Sequence, residues 1–193
     1  MAGRGIAWAV ALFATLLAFA GLGMSGHMAA HMGAVAVAAP MIAATMPRPG
    51  RVAAGAPLGW AMAEFVVVWG WHAPALRMVA DMQVAVALLE QAMFLALGVA
   101  LWRSALARPA AGAAALLLTS MHMTLLGALI GLADRPLYAM MAMHPAPGLD
   151  ALTDQQLGGV VMLLIGGASY CLGGLWLLGM ILRHPETGMK VAA

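Results

Sequence analysis

The chain has 193 residues, 64% apolar and 8% charged, with a formal net charge of +2; a soluble domain carries about 25% charged residues, so water is not the solvent of this one. At roughly 20 residues per membrane-crossing helix, the apolar content suffices for about six spans and leaves no room for a separate soluble domain. So small a charge spread over short loops excludes a nucleic-acid surface, and the single cysteine, Cys171, excludes an intrachain disulfide and a CxxC metal or redox site.

Apolar runs between Pro, Gly and charged punctuation predict six helices, at about 6–24, 27–46, 58–76, 80–102, 110–132 and 155–182. The Ala, Leu, Met and Val runs lack the period-two alternation of a membrane barrel, so the fold class is all-α, a polytopic helix bundle in one domain spanning residues 1–193. Arg4, Arg48, Arg51, Arg103, Arg108, Arg183 and Lys190 fall on one side of this arrangement and only Arg77 and Arg135 on the other. The basic excess marks the cytoplasmic side, which puts both termini there and makes 24–27, 73–80 and 133–154 the outer loops. A competing reading takes Arg4, the following apolar run and Ala18-Phe19-Ala20 as a cleavable signal peptide.

Local signals refine the helix ends. Ser25 is placed to cap the second helix, Pro40 to kink it, and Pro47 and Pro49 to end it. Thr153-Asp154-Gln155-Gln156 reads as a capping box opening the sixth. The doublets Gly158/Gly159, Gly166/Gly167 and Gly173/Gly174 mark a small-residue stripe for close helix packing.

Chemistry concentrates at the outer face. Met24, His27, Met28 and His31 follow the i, i+3, i+4, i+7 spacing of one helical stripe, with Met32 beside it. Imidazole with thioether suits copper, sulfur favouring Cu(I) and imidazole either oxidation state. The bland alternative is a polar pair bonded to neighbouring helices, with Met filling apolar gaps. His72, in Trp69-Gly70-Trp71-His72, ends the third helix on the same side, either as a third ligand or as part of an aromatic belt. Met78 and Met82 flank the start of the fourth helix, and Met140, Met141, Met143 and His144 lie in the outer loop before the sixth.

Glu64 and Glu90 lie inside spans, where a charge costs roughly 2.5–3.5 kcal/mol, so both should face the bundle interior. Glu64 shares a face with Val68 and His72; it either orients that ring indirectly or sits protonated and hydrogen-bonded. Glu64, Glu90 and His122 are the candidates for a polar path, and for His122 an interhelical hydrogen bond is the simpler role. His184 reads as interfacial. With no GxSxG, P-loop, HExxH or strand-borne GxGxxG, no catalytic residue is assigned and the chain reads as a non-enzyme.

Several of these motifs resemble, in order, the CtaG family of membrane-embedded cytochrome c oxidase assembly factors. They are H-M-A-A-H-M at 27–32 followed by Ala39-Pro40, W-G-W-H-A-P at 69–74, Leu125-Leu126-Gly127-Ala128 with Arg135-Pro136-Leu137-Tyr138, and D-Q-Q-L-G-G-V-V-M at 154–162. The resemblance extends over about 27–182. It implies maturation of a haem–copper oxidase by copper handling on the periplasmic side of the bacterial cytoplasmic membrane. The implied partners are an oxidase subunit and the bilayer, with a homo-oligomer left open. Carried over by position, the family's histidine pair is His27 and His31, its tryptophan-histidine is Trp71 and His72, and its Asp-Gln-Gln is Asp154, Gln155 and Gln156. Members of the family it resembles are usually longer, often with seven spans, and commonly carry a histidine on the fourth helix about where this chain has Gln91. Two other readings stand beside it: a haem-binding membrane electron carrier, such as His27 or His31 opposite His122 or His72, and a metal-free structural scaffold of an oxidase complex.

Overall fold

Where the apolar runs meet breakers, the computed structural model forms helices, and it describes residues 2–47 and 49–183. Arg48, His184 and Lys190 lie outside the described residues. Helix α1 covers Ala2–Leu17 and α2 covers Gly23–Thr45. Then come α3 at Ala56–Trp71, α4 at Pro74–Met82, α5 at Val84–Ala107, α6 at Pro109–Gly131, a short α7 at Ala139–Met143 and α8 at Ala151–Arg183. No strand occurs among the described residues.

Four helices, α2, α5, α6 and α8, are long and apolar enough to cross a membrane. The first and third expected spans appear as the shorter α1 and α3, with 16 residues each. At 1.5 Å per residue each is about 24 Å long, less than the roughly 30 Å hydrocarbon layer. The third span ends early because His72 and Ala73 break the helix and Pro74 starts a new one. Exposed Ile6, Leu12, Phe13, Val66, Met121, Leu129, Leu164, Leu172 and Trp176 give the bundle an apolar exterior, as lipid requires.

Pro40 leaves α2 continuous but widens it. Residues Gly33–Ala38 are π-helical, and Pro40 has no N–H to give to the carbonyl four residues earlier. That carbonyl, on Ala36, accepts instead from Ser169 Oγ of α8 at 2.8 Å. A side chain from a neighbouring helix satisfies what proline leaves open, as membrane helices demand.

The glycine doublets of α8 pack in two directions. A Cβ at Gly158 would stand 3.0 Å from the Met24 side chain, and one at Gly166 2.8 Å from Met32 Sδ, so these two face α2. A Cβ at Gly159 would stand 2.6 Å from the Gly127 carbonyl oxygen, and one at Gly167 2.5 Å from Thr124 Oγ1, so their sequence neighbours face α6. Gly173 lies against Trp102 of α5 and Gly174 against Leu117 of α6.

The helix starts differ from their expected caps. Helix α8 opens at Ala151 on Asp150, which accepts from the Leu152 and Thr153 amides at 3.0 Å and from the Thr153 hydroxyl at 2.7 Å. The Thr153 hydroxyl and amide hold the Asp150 carboxyl below the usual carboxylate range, so the cap stays charged at neutral pH. Asp154 is thereby free to cap another helix. Its Oδ2 accepts from Met24 N at 2.7 Å and its Oδ1 from Ser25 N at 3.0 Å. Ser25, the expected cap of α2, instead lies inside its first turn and donates back to the Leu22 carbonyl at 3.3 Å. Gly23 sits at φ +58°, and a side chain there would run into the Asp154 carboxylate and the backbone at Ala146. Asp154→Ala is expected to cost about 1–2 kcal/mol, as loss of an N-cap does. Thermal unfolding in detergent checks this; an unchanged midpoint would mean the bonds to Met24 and Ser25 carry no weight.

Candidate metal centre

One turn below that cap, α2 presents His27 and His31, four residues apart and on one face. Both are buried, at 7% and 2% exposure. Their Nε2 atoms lie 2.7 Å apart, a separation that holds one shared proton. Gln91 of α5 fixes the second ring: its amide N–H donates to the Ala30 carbonyl at 3.2 Å, so its Oε1 accepts from His31 Nδ1 at 2.8 Å. With the proton kept on Nδ1, His31 Nε2 turns its lone pair toward His27 and α5. Such an outer hydrogen bond commonly fixes a metal-ligating tautomer.

Glu90, next to Gln91, brings its carboxylate to the same point. Its Oε1 is 3.4 Å from His31 Nε2 and 3.9 Å from His27 Nε2. One atom from each of His27, His31 and Glu90 falls within 4.8 Å of the others, and all three residues are buried. Bonds of about 2 Å to a common ion put its ligand atoms roughly 3–4 Å apart; the two imidazole–carboxylate separations fall in that range, and the imidazoles, at 2.7 Å, would open slightly to share an ion.

The feature the sequence reading missed is Arg77. Counted there with the outer-loop charges, it is 98% buried in the structure. It reaches in from α4, and its Nη1 donates to both Glu90 oxygens at 2.7 Å and lies 2.9 Å from His27 Nε2. Its Nε donates to Asp81 Oδ1 at 2.9 Å. The guanidinium therefore stands among the atoms that would hold a metal.

His72 comes close without joining. Its ring centroid is 6.2 Å from that of His31, and Phe94 packs against both rings. His72 Nδ1 donates to the Val68 carbonyl at 2.7 Å, while its buried Nε2 has no partner. Tyr138 anchors this corner by donating to the His72 carbonyl at 3.0 Å. Burial pushes its phenol up to about 12, so it remains a donor at any physiological pH.

The remaining expected residues distribute as follows. Met24, Met28 and Met32 are buried in the core, the first and last against α8. Met78 and Met82 are exposed. Gln155 ties the α6–α7 connection, donating to the Ile130 and Arg135 carbonyls and accepting from Leu137 N. Glu64 is fully buried and accepts from the Tyr170 hydroxyl at 2.5 Å, away from His72. His122 makes no hydrogen bond through either ring nitrogen; it stands edge-on to Phe65 in an apolar groove between α3 and α6. The expected interhelical bond of His122 is thus absent.

A cavity of about 310 Å³ leads to the cluster. His27, His31, Arg77, Asp81 and Glu90 line it, together with Met140, Met141 and His144 of α7 and its end. The cytochrome c oxidase caa3 assembly factor family (Caa3_CtaG) matches residues 3–184. The chain belongs to this family. No curated protein and no solved structure matches it. As a caa3 assembly factor it has an oxidase as its client, and its apolar helices make the bilayer its second partner. The buried cluster of this assembly factor is built by α2, α4 and α5, all within the matched region.

Proposed function

We propose that this assembly factor holds copper as cargo at the His27–His31–Glu90 cluster and delivers it to an oxidase subunit at the periplasmic face of the bacterial cytoplasmic membrane. One observation carries the proposal: ligand atoms of two imidazoles and a carboxylate lie within 4.8 Å of one another, and all three residues line one cavity. The orientation, with both termini cytoplasmic, rests on the distribution of basic residues. With the α2 thioethers packed in the core, the inner donor set is imidazole and carboxylate, a combination that accepts Cu(II) more readily than thioether would. The softer Met140 and Met141 line the same cavity, within reach of an ion that enters or leaves through it. His72, its ring centroid 6.2 Å from that of His31, offers a further ring nitrogen, Nε2, without a partner.

The test is the metal content of the purified protein. Wild type exposed to copper and desalted is expected to retain it, and His27→Ala/His31→Ala to retain roughly tenfold less or lower. Equal copper in both would rule out these ligands. A metal-free wild type that still supports oxidase assembly would favour the scaffold reading, and a Soret band on purification the haem reading.

A further inference from the structure

The cluster already contains a cation. Arg77 Nη1 occupies the space between both Glu90 oxygens and His27 Nε2, and the atoms it contacts belong to the proposed ligands. We infer that Arg77 is the resident counter-ion of this site, and that a metal ion binds by displacing its guanidinium toward Asp81, so that loading and release exchange one cation for another. The inference rests on the reading of the cluster as a copper site.

Three features support it. A guanidinium and a metal ion cannot both stand within about 4 Å of Glu90 in a poorly screened interior without strong repulsion. A destination exists: Asp81 already accepts from Arg77 Nε through Oδ1, and its buried Oδ2 has no partner, so the carboxylate can take a second N–H from the same side chain. Finally, Arg77 and Asp81 ride together on the nine-residue α4, which is separated from α3 by the break at His72–Ala73 and from α5 by the extended backbone of Gln83, at φ −134° and ψ 109°. Such a segment moves without bending a membrane-crossing helix. Copper keeps its oxidation state throughout: Glu90 exchanges hydrogen bonds from Nη1 for a bond to the ion, and Arg77 leaves still protonated. On release the guanidinium returns and the carboxylate is never left uncompensated.

The test is competition titration of the metal-free full-length protein in detergent with Cu(II) and a chromophoric chelator. Arg77→Gln is expected to bind at least about tenfold more tightly than wild type, because the competing charge is gone. Asp81→Asn keeps the Arg77–Glu90 pair and removes the destination, so it should bind several-fold more weakly; this variant keeps the test open if Arg77→Gln does not fold. In the Arg77→Gln background Asp81→Asn should change nothing. Equal or weaker binding by Arg77→Gln, with binding still lost in His27→Ala/His31→Ala, overturns the exchange and leaves the copper site standing. So does an Asp81→Asn effect that persists without Arg77, since Asp81 would then only attract the ion. Absence of Cu(II) binding in wild type and every variant overturns both.

Discussion

Glu90→Ala is expected to destabilise the protein by about 3–5 kcal/mol, the cost of leaving one member of a buried ion pair alone. Arg77 and Glu90 are 2% and 1% exposed, and Glu90 accepts from Arg77 through both oxygens. Truncating Glu90 leaves the guanidinium with Asp81 as its remaining carboxylate partner, through Nε. For a chain of this length the loss corresponds to a midpoint roughly 6–20 °C lower. Arg77→Met/Glu90→Met is expected to recover most of it, because a well-packed apolar pair often matches a buried ion pair in stability. Thermal unfolding of the three proteins in one detergent is the measurement. A Glu90→Ala protein as stable as wild type would mean that the pair does not form.

Gly159→Leu is expected to cost about 3 kcal/mol or more. A Cβ at Gly159 would overlap the backbone N and Cα of Gly131 and press on the Gly127 carbonyl oxygen. The obstruction is backbone, so no rotamer change relieves it, and α8 must move away from α6. Asp154 lies on α8 a little over one turn earlier, so this movement also strains the cap on α2 that precedes the histidines. Gly59→Ala on α3 is the control. Nothing lies within 4 Å of a Cβ there, and the change should be neutral or slightly stabilising. Equal stability of the Leu and Ala variants would show that the α6–α8 contact is looser than the structure has it.

The helices were legible because length and apolarity leave lipid-facing chains few choices, and the histidine pair because spacing of four puts two rings on one helical face. The methionines show where that logic stops. Successive residues are about 100° apart around a helix, so Met28 is adjacent to His27 in sequence while its side chain has a different neighbour to fill against. A stripe drawn through 24, 27, 28 and 31 covers an arc wide enough to touch two neighbouring elements, and the structure sends the histidines to α5 and Met24 to α8.

Glu90 was identifiable as an inward-facing carboxylate, but its partner was not. Arg77 looked like a loop charge because counting basic residues by segment reads position along the chain, whereas the break at His72–Ala73 turns α4 so that Arg77 points into the bundle. Only the requirement that a buried carboxylate find a cation could have raised the question. Gln91 entered the sequence reading only as a departure from the family resemblance; its amide here supports His31 from behind. Asp154 was read as part of its own helix's capping box because capping rules are local, and the bond it makes joins residues 130 positions apart.

That separation has a consequence for biogenesis. A ribosome emits α2 long before α8, so the amides of Met24 and Ser25 wait for their acceptor until some 130 further residues have been translated and α8 has docked. The Ala36 carbonyl waits as long for Ser169. The histidine-bearing helix therefore reaches its final form only once α8 is in place, and a nascent chain that stops before α8 carries both imidazoles on a helix whose first turn lacks its cap.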